Sequence, residues 1–185
     1  MKGVRGASVI DVGTGTGLLA FVLLQRGATS VKATDIESRA VECATLNALQ
    51  LGWSDRFSVE QRPLFPDAVA DLIVCNPPWI PEAPKNRFDR AVFDEGDAFI
   101  TGFLDGVGAH LTQKGRALLI ISNLAELLGL RPRGWLEARF EAAGLEVATT
   151  ASLAAKHGKA KDPRDPLHAA RSAEITTLYE LVSRR

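Results

Sequence analysis

The chain has 185 residues, 46% of them hydrophobic and 24% charged, with 22 basic side chains balanced by 22 acidic ones. Such a length builds a substantial core within one domain, and zero net charge leaves nucleic-acid attraction to local patches alone. No apolar run approaches the roughly 20 residues of a membrane span, the start MKGVRGASVI makes a poor signal peptide, and Cys43 and Cys75 lack metal or disulfide spacing, which points to a reducing cytoplasm.

Strand-like and helix-like segments then alternate, which predicts an α/β fold on a mostly parallel sheet. SVIDV (8–12) reads as a strand and GLLAFVLLQRG (17–27) as a helix closed by Gly27. SVKATDI (30–36) is a second strand. A helix over 37–52 has apolar positions Ala40, Val41, Ala44, Leu49 and Leu51, and Gly52 stops it. RFSVEQ (56–61) and ADLIVC (70–75) are the third and fourth strands, and a polar loop leads to a helix over 95–111. GRALLIISN (115–123) is a fifth strand, followed by a helix over 132–143. GLEVATTASL and AEITTLYELV are the last two strands, joined by a polar, basic insertion over 154–172 that is too long for a hairpin turn. With no repeat and no linker, residues 1–185 read as one domain, either complete or the catalytic part of a longer protein. The first strand starts eight residues in, leaving no room for a helical domain before it.

The first strand runs into DVGTGTG (11–17), a loop in which Gly13, Gly15 and Gly17 permit positive φ and close approach of a ligand. The helix behind it presents free N–H groups to an anionic group. Dinucleotide folds favour G-x-G-x-x-G, whereas the spacing here is G-x-G-x-G, with Asp11 two residues ahead. Asp35 ends the second strand, 22 positions after Gly13, where a carboxylate can accept both hydroxyl protons of a ribose.

The fourth strand ends abruptly at NPPW (76–79). It lies at the carboxyl edge of the sheet, where open α/β sheets bind ligands. Two prolines make a stiff corner, and the Asn76 side-chain oxygen with the Pro77 carbonyl supplies two acceptors, the number an sp² –NH2 can satisfy. Trp79 offers an apolar platform, and stacking on a nucleobase contributes about 1–3 kcal/mol. A planar amino nitrogen is a poor nucleophile because its lone pair is delocalised. Acceptors on both N–H groups favour charge build-up on it, and in-line placement supplies the rest.

With these residues, the chain resembles the class I S-adenosylmethionine-dependent methyltransferases: VIDVGTGTG matches their first cofactor motif and VKATDIE their acidic strand end. The resemblance implies seven strands in the order 3-2-1-4-5-7-6, the last antiparallel, with helices on both faces. It implies that Gly13, Thr14, Gly15 and Gly17, with Asp11 and Asn76, flank the methionine part of S-adenosyl-L-methionine. Asp35 would hold the ribose and Ile36 would pack on adenine. NPPW resembles the Asn-Pro-Pro-aromatic signature of enzymes that methylate glutamine amides or exocyclic amines of RNA and DNA bases, which assigns catalysis to Asn76, Pro77 and Trp79. No metal ligand set is implied.

The resemblance extends over most of residues 8–123 to protein-glutamine methyltransferases of peptide release factors, with departures. Pro63 stands where these carry an acid for the adenine amino group, leaving backbone near Arg62 or Leu64, or else Asp67. Trp79 replaces the commoner Tyr. Their helical substrate domain has no counterpart, although some relatives rely on an activating partner protein instead. The insertion carries Lys156, His157, Lys159, Lys161, Arg164, His168 and Arg171 against Asp162 and Asp165, a basic loop able to follow a phosphate backbone. The competing classes are a non-catalytic S-adenosylmethionine-binding subunit and an NAD(P)-dependent oxidoreductase. Trp53 and Trp135 read as packing residues, and Glu95 and Asp97 as charges that favour a helix start.

Overall fold

The computed structural model describes residues 3–86, 89–156, 158 and 162–184. Alternation in the strand sequences decides the layers. In β1 (Ser8–Val12), β2 (Ser30–Asp35), β4 (Ala70–Cys75) and β5 (Leu111–Ser122), successive apolar side chains go to opposite faces. Val9, Val31, Ala33, Leu72, Val74 and Leu118 join one buried cluster with helices α1 (Leu18–Gln25) and α2 (Ser38–Gln50). Ile10, Val12, Ile73, Cys75, Ala117, Leu119 and Ile121 join the other, with α3 (Ala98–His110) and α5 (Trp135–Ala142). Both faces are therefore covered, which is why the central strands read as continuous apolar runs.

With β3 (Phe57–Gln61), β6 (Leu145–Ala154) and β7 (Ile175–Ser183), the sheet has seven strands in the order 3-2-1-4-5-7-6, as the resemblance implied. β1 to β5 pair in parallel, and β7 is antiparallel to both β5 and β6. The carboxyl ends of β1, β2 and β4 therefore share one edge.

Three local expectations fail for physical reasons. In α2 the buried stripe is Ala44 and Ala48, while Leu49 is 66% and Leu51 52% exposed; small side chains let this helix lie close to the sheet, and the leucines fall off its inner face. The helix expected over 95–111 is divided. Gly96 (φ 63°) and Asp97 (φ 60°) are left-handed within a short 3-10 turn, and α3 begins only at Ala98. Glu95 and Asp97 accordingly do not start it. Asp94 does, its carboxylate accepting the Phe99 and Ile100 N–H groups at 2.8 and 3.0 Å. A short helix, α4 (Leu124–Leu127), follows β5 unannounced by any periodicity, and α6 (His168–Ser172) lies in the insertion.

Candidate active site

Three strand ends supply the site. Val12 of β1 pairs with Cys75 of β4 and Thr34 of β2, so the glycine loop leaves the sheet between Asp35 on one side and Asn76 on the other. The Thr34 carbonyl accepts both the Gly13 and the Thr14 N–H at 2.9 Å. Asp35 accepts the Gly15 N–H on one oxygen and the Glu37 N–H on the other, each at 2.9 Å. A carboxylate has about four acceptor positions, so Asp35 keeps capacity for further donors. The Asn47 amide of α2 also holds the loop, donating to the Thr16 carbonyl at 2.9 Å.

Gly17 has φ 86°, and a Cβ there would drive into the Phe21 ring; no other residue type fits. At Gly13 (φ 71°) a Cβ would come 3.1 Å from the Phe99 ring, whereas at Gly15 it would enter open space. The loop is thus packed from below at its ends and open in its middle, where a ligand would lie.

Beneath the loop, Asp11 is 1% exposed. One carboxylate oxygen accepts the Thr14 hydroxyl at 2.7 Å and the Ala20 N–H at 3.2 Å, and the other, Oδ1, is buried with no partner. Burial, only partly offset by these hydrogen bonds, pushes its pKa up to about 6, and the Asp35 carboxylate adds to the rise. Burial also drives the Cys75 thiol well above its ordinary value, with the Asp11 and Asp94 carboxylates adding to it. Cys75 is therefore a protonated, apolar filler rather than a nucleophile.

Asn76 is exposed and its side chain hydrogen-bonds to no described residue, while Pro77 is buried. The Trp79 and Ile80 N–H groups both donate to the Val92 carbonyl at 3.0 Å, and the Asp94 N–H donates to the Ile80 carbonyl at 2.8 Å. The corner is thus tied to the segment that starts α3. The Trp79 ring is not an open platform: it is half-buried against the apolar cluster on that face, and its indole N–H is buried without an acceptor. Asp97 takes a different role from the one expected. It accepts from the buried Arg131 guanidinium, Nε at 2.9 Å, and Arg131 in turn lies 5.0 Å over the Trp135 ring. Phe99, Asn47 and Arg131 escaped sequence reasoning because each acts across a long separation that no short motif spans, and Asp94 because the left-handed pair after it moves the helix start.

On the far side of Asp35, Ile36 is 51% exposed. Beside it a cavity of about 330 Å³ is lined by Glu37, Pro84, Asn86 and Arg90, and Arg90 pairs with Glu37 at 3.5 Å. The groups considered for an adenine are partly committed. The Arg62 N–H donates to the Asp35 carbonyl at 3.0 Å, and the Leu64 carbonyl accepts the Thr34 hydroxyl. Leu64 has φ 56°, and its side chain lies over Gly102 of α3. Pro63 and Asp67 are exposed.

In the insertion, Arg164 pairs with Asp162 at 3.0 Å and Arg171 with Asp165 at 3.4 Å. Two of the expected cations are therefore neutralised locally. His157, Lys159 and Lys161 lie outside the described residues. Among the described residues no cluster of three His, Cys, Asp or Glu converges as metal ligands, and no helix is long and apolar enough to cross a membrane.

The donor set fits S-adenosylmethionine: an open glycine loop, a carboxylate with spare acceptor capacity for a ribose, an exposed isoleucine beside it, and an unpaired carboxylate oxygen on Asp11. Sheet order and loop together define the class I S-adenosylmethionine-dependent methyltransferase fold. The chain belongs to the family described as ribosomal protein L11 methyltransferase (PrmA), whose sequence profile matches residues 2–105. Over 127 residues it is 32% identical to the tRNA1(Val) (adenine(37)-N6)-methyltransferase of Cytophaga hutchinsonii, covering 65% of this chain and 53% of that protein. Over 102 residues it is 34% identical to the ribosomal protein uL3 glutamine methyltransferase of Bordetella pertussis, covering 53% of this chain and 34% of that one. The chain thus spans about half the length, or less, of these curated relatives. Its backbone superimposes on a ribosomal protein L11 methylase from Lactobacillus delbrueckii subsp. bulgaricus with a TM-score of 0.66 at 20% identity, over 100% of this chain and 73% of that one. The family leaves the NAD(P) alternative without support.

Proposed function

We propose that the protein is an S-adenosylmethionine-dependent N-methyltransferase acting on a planar amino nitrogen of the translation apparatus, either an exocyclic base amine in RNA or a glutamine amide in protein. The observation that carries this reading is Asn76: an exposed side chain with no hydrogen bond to a described residue, on a proline-stiffened corner just past the end of β4, the strand paired with the one that leads into the glycine loop. Its relatives support both substrate classes by name.

When bound, S-adenosylmethionine supplies an electrophilic sulfonium methyl. Asp35 would hold its ribose, the open middle of the loop at Gly15 its amino-acid end, Ile36 its adenine, and Asp11 Oδ1 would compensate a nearby cationic group. Asn76 Oδ1 would accept a hydrogen bond from one N–H of the target –NH2, and the Pro77 carbonyl a hydrogen bond from the other. Together they would orient the nitrogen and stabilise positive charge developing on it. No strong base is needed, because the proton becomes acidic as the bond forms, and the Cys75 thiol has no part. Half-buried Trp79 would form the apolar wall of the acceptor site.

The two substrate classes differ in what the insertion must do. An RNA substrate would use its cations on phosphates. The pairing of Arg164 and Arg171 with aspartates favours a protein glutamine as the second reading. A single-domain chain acting in the cytoplasm, with or without an activating partner protein, is part of the proposal. Methyl-labelled S-adenosylmethionine, incubated with the protein and fractionated cell extract, tests it. Label in N6-methyladenine or another base, or in N5-methylglutamine, supports the reading and separates the classes. Cofactor binding with no label in any fraction overturns it in favour of a non-catalytic subunit.

A further inference from the structure

Among the described residues the β6 strand is the outermost of the sheet and pairs with β7 alone. Only Leu145 in it is buried; the nine residues that follow are all exposed, so both faces as well as the outer edge lie open. Natural sheets blunt such edges with lysines, prolines or bulges. Here residues 147–155 (VATTASLAA) contain no charge and no proline. The one bulge lies between Val147 and Thr149, which leaves Thr149 to Ala154 regular. The opposite edge is protected: β3 is five residues long, carries Glu60 and is followed by Arg62, which pairs with it.

We propose that the β6 edge is occupied by β6 of a second copy of this chain, paired antiparallel about Ala151. The charges select this occupant. Glu146 stands five residues before Ala151 and Lys156 five residues after it, both exposed, and neither forms an ion pair with a described residue. Antiparallel pairing about Ala151 brings the Glu146 end of each strand to the Lys156 end of the other, so opposite charges meet at both ends. In between, the two-fold axis falls on an alanine methyl, Thr150 faces Ser152, and Thr149 faces Leu153. Each contact is thus made twice, residue i with j and j with i, as in an isologous interface, the small alanine on the axis raises no clash, and opposite charges across strands are favourable. An unrelated extended peptide would have no reason to match this spacing. Because β6 runs in the direction of β5, its Lys156 end lies at the same sheet edge as Asn76. The two candidate sites would then open at opposite edges of one continuous sheet, with the base of each insertion held against the partner.

Sedimentation equilibrium of the full chain tests this, with the mass expected to approach twice 19.9 kDa as concentration rises. Ala151→Lys sets two like charges on the axis and is expected to return the chain to 19.9 kDa with unchanged circular dichroism. Glu146→Lys, an exposed change that leaves the fold alone, weakens dimerisation at least about tenfold through like-charge contacts. Combining it with Lys156→Glu restores the dimer. A chain that stays at 19.9 kDa at every concentration leaves the edge to solvent or to another protein's strand and overturns the proposal. So does a dimer indifferent to Ala151→Lys, or a charge exchange that fails to restore association.

Discussion

Replacing Asp11 with asparagine tests the electrostatics beneath the glycine loop. The side chain is 1% exposed, one oxygen has two donors and the other none. Its pKa rises from an ordinary 3.8 to about 6. At about 1.4 kcal/mol per unit, keeping Asp11 ionised in the fold costs roughly 3 kcal/mol. The sign follows from linkage. Between the two pKa values the folded chain retains a proton that the unfolded chain has lost, so this group's contribution falls as pH rises from about 4 to about 6 and is constant above. Asparagine keeps an acceptor for Thr14 and Ala20 but does not titrate. Urea unfolding should find Asp11→Asn more stable than the parent by about 2–3 kcal/mol near pH 8, with the gap closing toward pH 4. Its affinity for S-adenosylmethionine should fall at the same time, a trade between stability and function. A gap that does not change with pH would refute the assignment of buried charge to Asp11.

Other substitutions probe the frame around the site. Gly106→Ala would add helix propensity, yet its Cβ would lie 2.7 Å from the Phe65 ring, which is buried and stacks with both Phe103 and His110; overpacking should dominate and destabilise by about 1–3 kcal/mol in urea titrations. Arg131→Met leaves the buried Asp97 carboxylate unpaired and should cost about 3–5 kcal/mol, with Arg131→Met/Asp97→Asn, which is uncharged and keeps a residue that tolerates the left-handed backbone, recovering part of the loss. Asp35→Ala removes the acceptor of the Gly15 N–H, and calorimetry should show S-adenosylhomocysteine binding weakened at least about tenfold, the size of one charge-assisted hydrogen bond.

The fold was legible because its central strands are short apolar runs punctuated by glycine, and the loop and strand-end acid sit within a few residues of the turns that position them. The position of Asn76, just past the end of β4, was legible for the same reason. Readings that depended on which way a side chain turns did less well. The leucines of α2 point to solvent because alanines take the close face, and Trp79 folds inward although its neighbours form an exposed corner. Asp97 serves a distant arginine, because two left-handed residues in succession break the helix that would have used its charge. In the insertion, aspartates fold back onto two of its arginines, a pairing that spacing alone does not announce. None of these follows from composition or spacing; each depends on what lies opposite in space.

We propose that Asn76 acts chiefly by orienting a planar amino nitrogen, and that any contact it makes with the methionine part of the cofactor contributes little to binding. Single-turnover methyl transfer by Asn76→Ala, with S-adenosylhomocysteine affinity measured on the same sample, tests it most directly. Transfer should fall by about 10²–10³, as when a preorganised polar group at the reacting atom is lost, while affinity changes far less. Transfer at the parental rate, or a loss accounted for entirely by weaker cofactor binding, would contradict the account.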